Sequence, residues 1–347
     1  MHNANIDPKM ETAKSRKKQH IENFLKSKSK SVNYFDDIVL ENNSIPELNF
    51  AEIDTSCVFL NKKTDYPIMI NAITGGFVGA LEINKNLASL AKEFNLPIAV
   101  GSQSLGIKGY GQETYRIVRD IMENGTVISN VSANTSPEMV RTAIDMINAD
   151  AVQLHLNAAQ EMCMSEGDRN FKGTLENIKN IEKSISVPVI IKEVGFGLSG
   201  KAANQLFEIG IRYIDIGGKG GTNFIEIEDM RNNDTDFSDL YDWGLPTPMS
   251  LIQCVKASPE MNIISSGGIF KAEDAVKSLC LGGKMAAISG VLLRELLLNG
   301  YVASEKFLDG FLHKIQIIML LTGCKTISEL KNVNAYIKGD LRDLIHQ

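Results

Sequence analysis

The stretch that decides the fold reads Ala151-Val-Gln-Leu-His155-Leu-Asn157-Ala-Ala-Gln160-Glu161. Ala151 to Leu156 is an apolar run of the kind that builds a buried parallel strand. It ends in a crowd of polar side chains: His155, Asn157, Gln160 and Glu161. Packing alone does not account for them. In an α/β barrel, strand ends of this kind carry binding and catalysis.

The same pattern extends outward from this stretch. From Pro67 onward, short apolar runs alternate with amphipathic segments of helical length. The runs are Ile68–Ile70, Ile98–Val100, Val127–Ile128, Ala151–Leu156, Val189–Ile191, Tyr213–Ile216, Ile263–Ile264 and Ala286–Ile288. Helical patterns lie between them, such as Ile83–Phe94, Pro137–Ile147, Thr174–Ser184 and Ala272–Leu281. Eight βα units predict a (β/α)8 barrel, a TIM barrel of the α/β class, with every strand C-terminus on one face. A doubly wound open sheet is the alternative. No GxGxxG follows the first run, which weighs against a dinucleotide fold of that kind. The aperiodic stretch Glu226–Trp243 reads either as a lid on the catalytic face or as a disordered insertion.

Composition narrows the function. The chain has 347 residues, 44% hydrophobic and 22% charged, with a net charge of -6. That balance argues against nucleic acid or an anionic membrane as partner, while a local cluster can still bind an anionic small molecule. The five cysteines are widely spaced with no C-x-x-C, which points to reduced thiols and away from a disulfide framework or a zinc site. The polar start of the chain has no signal core, and no run reaches the roughly 18 apolar residues of a membrane span. A cytoplasmic protein is expected. Residues 1–30 read as a flexible basic arm, with a short helix over Gln19–Leu25.

Glycine clusters close the later strands: Gly195 and Gly197, Gly217 to Gly221, Gly267-Gly268, and Ser289-Gly290. Exposed backbone N–H groups there, followed by helix N-termini, make anion nests. The last two fall where barrels commonly bind phosphate. Lys192 follows Val189–Ile191 and serves either to hold negative charge on a reduced flavin or as a Schiff-base nucleophile; the glycine clusters favour the flavin. Thr74, Ser102 and Asn130, on three consecutive strand ends, form one polar wall suited to ring heteroatoms. Glu161 reads as a general base, a magnesium ligand or a helix N-terminal charge.

Taken together, Arg16-Lys17-x-x-His20, Asn71-Ala-Ile-Thr74-Gly-Gly76, Val100-Gly-Ser-Gln103, Ser129-Asn-Val-Ser-Ala-Asn134, His155-Leu-Asn157-x-x-Gln160-Glu161, Lys192-Glu-Val-Gly-Phe-Gly197, Gly220-Gly-Thr222 and Ser266-Gly-Gly268 resemble the type 2 isopentenyl-diphosphate isomerases. The resemblance runs in constant order from about residue 15 to residue 290. It implies one FMN-binding barrel domain over residues 31–347, a homo-oligomer (tetramer or octamer), and use of FMN, Mg2+ and NADPH. It places FMN against Ala72, Ile73, Thr74, Ser102, Asn130, Lys192, Thr222, Gly267, Gly268, Ser289 and Gly290. The diphosphate of the substrate falls to Arg16, Lys17, Ser102, Gln103, Ser104, His155 and Asn157. Gln160 reaches the isoprenoid end and Glu161 holds magnesium, so Gln160, Lys192 and His155 are the expected catalytic set. The chain departs from the family pattern in three places: Ala158-Ala159 replaces Pro-Leu, Ser104 stands where a basic residue is common, and the last phosphate turn carries Ser289. The competing readings are an FMN-dependent 2-hydroxy-acid oxidase, which needs a histidine base after a late strand, and a non-catalytic flavin or phosphate module.

Overall fold

The computed structural model describes residues 8–27, 32–231 and 234–345, with side chains from Ser15 onward. Eight parallel strands close into a barrel: β1 (Ile68–Ile70), β2 (Ile98–Ala99), β3 (Val127–Ser132), β4 (Ala151–Leu156), β5 (Val189–Glu193), β6 (Tyr213–Asp215), β7 (Asn262–Ser266) and β8 (Met285–Ile288). These are the runs read from the sequence, in the same order. The ring closes where β8 pairs with β1, through Ala286 with Ile68, Ala287 with Met69 and Ile288 with Ile70. Ile68, Met69 and Ile70 are all fully buried, because helices cover one face of each strand and the barrel interior covers the other.

The barrel interior has two layers. At the N-terminal end Met69, Ala99, Ile128, Ala151, Ile190, Ile264 and Met285 form an apolar layer. Phe59 and Leu60 join it from the antiparallel hairpin Cys57–Phe59/Lys62–Thr64, which plugs that end. Toward the C-terminal end the buried side chains turn polar: Asn71, Gln153, Asp215 and Ser266. The polar layer is the floor of the site.

Outside, each helix buries one stripe. Ala80–Glu93 turns Ile83, Leu87, Leu90 and Ala91 inward at three- and four-residue spacing, each large side chain contributing about 2 kcal/mol. Pro137–Met146 starts with a Ser136 hydroxyl that accepts from the Met139 N–H, and with Pro at the first helical position.

The N-terminal segment differs from expectation. Within the arm expected over residues 1–30, with a short helix at Gln19–Leu25, Pro8–Lys26 is one 19-residue helix, α1, laid across the mouth of the barrel; residues 1–7 and 28–30 of that arm lie outside the described residues. Its composition is too polar for the helix to persist alone, and helices of this length are marginal in isolation. Docking holds it: Asn23 Nδ2 donates to Ile227 O (3.2 Å), Ser27 Oγ to Glu226 Oε2 (2.6 Å), and Arg294 to the Phe24 carbonyl (2.9 Å). The contacts come from residues some 200 positions away, which is why the local pattern did not show the full helix.

Candidate active site

A cavity of about 500 Å³ opens at the C-terminal ends of the strands, beneath α1. Ala72, Ile73 and Thr74 reach it after β1, Ser102 after β2, Asn130 from β3 and Lys192 from β5. Thr222 follows β6, Gly267 and Gly268 follow β7, and Ser289 and Gly290 follow β8. The eleven positions expected to meet the cofactor therefore share one wall-to-wall site.

The phosphate cradle starts with the β7 and β8 turns. Gly267 (φ 99°) and Gly268 (φ 70°) adopt the left-handed backbone that glycine tolerates. The helix Gly290–Asn299 begins at Gly290, so its first free N–H groups face the same end of the cavity. A Cβ at Gly290 would stand 2.9 Å from the ring of Phe24 on α1, so α1 covers this end with an aromatic. The polar wall of Thr74, Ser102, Asn130 and Lys192 faces it across the barrel. A phosphate cradle at one end and hydrogen-bonding groups at the other, in a cavity within the roughly 300–1,000 Å³ of ligand pockets, fit FMN.

Lys192 is fastened from below. Its Nζ donates to Glu193 O (2.9 Å) and lies 3.4 Å from Asp215 Oδ2. Asp215 also accepts from Asn71 Nδ2 at 2.6 Å. Sequence reading passed over Asp215, although an acid within the apolar run Tyr213–Ile216 was the visible signal.

The expected diphosphate set is only partly assembled. Arg16, Ser104, His155 and Asn157 line the cavity, with Arg16 3.5 Å from Glu166. Gln103 does not reach it. It is fully buried, Nε2 donating to Ala143 O (2.9 Å) and Oε1 accepting from Ser129 Oγ (2.6 Å) and Asn130 N (3.0 Å). Gln103 is thus a brace for Asn130, because the turn after β2 points it back into the wall.

Lys17 lies at the cavity edge, yet its ammonium donates to Gly75 O (2.8 Å), Ser102 O (2.6 Å) and Tyr115 Oη (2.9 Å). An ammonium has three donors, and all three are engaged. Burial, then the neighbouring Arg16 charge, lower Lys17 to about 7. Lys17 as placed here is a fastener for α1 and leaves no N–H for a phosphate. Lys17→Met removes all three hydrogen bonds and is expected to free α1, speeding proteolysis within residues 16–26 by about tenfold or more. An unchanged cleavage rate would show that the other contacts suffice.

His155 Nδ1 lies 2.8 Å from Asn130 Oδ1. Burial, then the Lys192 and Lys17 charges, pull its imidazole down to about 4. It is neutral near pH 7, and Nδ1–H donates to Asn130 while Nε2 is left as an acceptor. A neutral ring offers a phosphate little, so His155 binds an anion only by taking up a proton as the anion arrives. Between its ordinary 6.5 and about 4 the unfolded chain holds the extra proton. Stability of the ligand-free protein should therefore fall as pH drops through that window. His155→Gln should flatten the slope of the urea midpoint against pH; an unaltered slope would assign the titration elsewhere.

Two short helices flank the reacting end, α2 (Ala158–Cys163) and α3 (Phe224–Asp229); Gly290–Asn299 is α4. Gln160 on α2 lines the cavity, and its Nε2 donates to Glu228 Oε1 at 2.7 Å. Glu228 on α3 is 1% exposed, with His20 Nε2 2.8 Å from Oε1 and Arg231 paired to Oε2. The His20 ring nitrogen is close to the oxygen but not aligned on it, so that contact is a close approach and not a formed hydrogen bond. Burial alone would raise the Glu228 carboxyl; the contacts with His20, Gln160 and Arg231 outweigh it and hold the pKa below its ordinary value. Glu228 and Arg231 lie in the stretch read as a lid or insertion. The stretch instead opens with α3, capped by Asn223, whose Oδ1 accepts from Ile225 N (3.1 Å) and Glu226 N (3.4 Å). Tyr241 Oη ties its far end back to Asp229 (2.5 Å).

Glu161 lines the cavity in the first turn of α2. Its Oε1 accepts from Asn157 Nδ2 (2.8 Å) and Oε2 from Asp168 N (2.7 Å), so Asn157 faces Glu161 as well as the cavity. Among the described residues no group of three or more His, Cys, Asp and Glu converges as a metal site. Among the described residues Glu161 is the one carboxylate that lines the cavity.

A parallel barrel with a phosphate cradle, a polar wall and a central lysine defines a flavin-binding barrel. The FMN-dependent dehydrogenase family matches residues 116–336. The isopentenyl-diphosphate delta-isomerase of Moorella thermoacetica is 40% identical over 328 residues, 94% of each chain. That of Bacillus licheniformis is 41% identical over 332 residues, 95% of each chain. This chain belongs to the isopentenyl-diphosphate delta-isomerase family. Among solved structures, a mandelate oxidase with (S)-mandelic acid aligns with a TM-score of 0.68 at 14% identity, over 95% of this chain and 98% of that one. At that identity the likeness speaks for the fold alone.

Proposed function

We propose that this protein interconverts isopentenyl and dimethylallyl diphosphate. Membership of a family so named over nearly the whole chain carries this reading. The cavity supports it: a flavin-sized cradle adjoins a wall with Arg16, Ser104 and His155, and the Gln160–Glu228 pair faces the remaining side. FMN, when bound and reduced, supplies negative charge and a proton-bearing ring nitrogen beside the alkene.

The chain's own residues supply the rest. Arg16 and a protonated His155 hold the diphosphate, with Ser102, Ser104 and Asn157 adding hydrogen bonds. Glu161 shares a Mg2+ ion with the phosphate oxygens. Gln160 is no acid at neutral pH, so it orients the alkene or a water while Glu228 behind it sets the direction of the amide. The double bond moves by proton addition at the terminal carbon and proton loss from C2, with no net electron transfer. α1 excludes water, which would trap the tertiary cation. Lys192 holds charge at the flavin edge. The reading includes NADPH as reductant of FMN, a single barrel domain over residues 31–347, a homo-oligomer and a cytoplasmic location. No helix among the described residues is long and apolar enough to cross a membrane.

The test is an anaerobic assay of isopentenyl diphosphate with FMN, Mg2+ and NADPH. Dimethylallyl diphosphate should form, and its yield should collapse when FMN is left oxidised. Equal turnover with oxidised FMN would reject the mechanism, and no product under any condition would reject the function.

A further inference from the structure

Asp215 ends β6 and is fully buried. Its carboxylate gathers donors from three other strands or their ends and from the turn that follows its own strand. Oδ2 accepts from Asn71 Nδ2 (2.6 Å) and Gln153 Nε2 (3.4 Å), and Oδ1 from Ser266 Oγ and Gly217 N (3.3 Å). A buried carboxylate is unfavourable unless paired. Among the described residues its ion-pair partner is Lys192, 3.4 Å from Oδ2. Lys192 donates to Glu193 O and approaches Asp215, which leaves one of its three N–H groups for the cavity it lines.

We propose that Asp215 is a positioning residue for the reaction: it holds the Lys192 ammonium at the cavity floor and offsets part of its charge, and so sets how strongly the site prefers reduced over oxidised flavin. The proposal rests on the FMN reading above. A cation beside the ring stabilises the anionic reduced form more than the neutral oxidised one. The Asp215 carboxylate opposes that preference. The balance keeps reduced FMN bound without making it too stable to share its charge with a cation forming on the substrate.

The experiment measures FMN affinity in both redox states, by fluorescence titration in air and by anaerobic titration of reduced FMN. Asp215→Asn keeps the shape and removes the charge. It should raise the affinity for reduced FMN relative to oxidised by about tenfold, a positive shift of about 30 mV for two electrons. In a Lys192→Met background the same substitution should move the ratio by less than about twofold, because the charge it acts on is gone. Asn71→Ser breaks a hydrogen bond of the network without altering charge, and it too should leave the ratio within about twofold. If Asp215→Asn yields no folded protein, Asp215→Ser is read the same way, since it keeps an accepting oxygen. An unchanged ratio in Asp215→Asn or Asp215→Ser, an equal shift in the Lys192→Met background, or an equal shift in Asn71→Ser would overturn the proposal. Failure of the unaltered protein to bind FMN would overturn the FMN reading instead.

Discussion

Glu228→Gln is expected to lower kcat by about 10²-fold, the cost of a misplaced group beside the chemistry, while FMN affinity stays within about threefold. The reason is position. Glu228 does not line the cavity; it acts through Gln160, whose amide nitrogen it holds at 2.7 Å. A carboxylate there accepts only, so the Gln160 amide has one orientation, with its oxygen free toward the substrate. Glutamine in its place offers both a donor and an acceptor, and the Gln160 amide loses that instruction. The charge matters as well. His20 approaches the same oxygen and Arg231 the other, and Arg231 also pairs with Glu166, so Glu228 is the buried one of the two carboxylates that hold this arginine. Removing it leaves Arg231 short of a buried partner, and some stability is lost with it. The kcat must therefore be measured on the folded, FMN-bound fraction. A kcat near that of the parent would make Glu228 a structural anchor for α1 and nothing more.

Gly267→Ala is expected to be among the most destabilising methyl additions near the site, at about 3 kcal/mol or more. Two costs combine. The φ of 99° lies in the left-handed region that alanine disfavours. A Cβ there would also stand 2.0 Å from Gly218 O and 2.8 Å from the Gly218 N and C, all backbone atoms that no rotamer change can move aside. Relief requires the β6 and β7 turns to part, although Gly218 N donates to Ser266 O (2.8 Å) and Thr247 Oγ1 to Gly267 O (2.6 Å). Those turns form the cradle, so FMN affinity should fall by about a hundredfold or more, worth about 3 kcal/mol. Gly300→Ala is the control. Its φ of 83° and ψ of -178° favour glycine, but nothing lies within 4 Å of the added carbon, so only the backbone cost of about 1–3 kcal/mol applies and FMN binding is spared. Urea midpoints and FMN titrations of the two variants check both halves. Equal losses would mean that the close approach of the turns costs nothing.

The residues legible in advance share one property: their signal lies within a few positions of themselves. Val189–Ile191 followed by Lys192, or Ser266 followed by Gly267-Gly268, announces a buried strand, its C-terminal end and the chemistry placed there. Periodicity of two layers of burial was enough to order all eight strands. Gln103 was misplaced for the opposite reason. Its neighbours Ser102 and Ser104 do line the cavity, and nothing local says that the intervening side chain turns inward to brace Asn130.

By itself, then, the sequence determined the barrel, the order of its strands, and the wall of Thr74, Ser102, Asn130, Lys192 and the glycine turns, because backbone burial and turn geometry are local properties of a βα unit. Only the tertiary structure decided what sits behind that wall and over it. Asp215 reaches Lys192 only because β5 and β6 are neighbours in the ring. Glu228 meets Gln160 across 68 positions, and Lys17 on α1 meets Tyr115 across 98. Such contacts fix charge states and orientations through burial and shared partners, and the closing of the chain creates both.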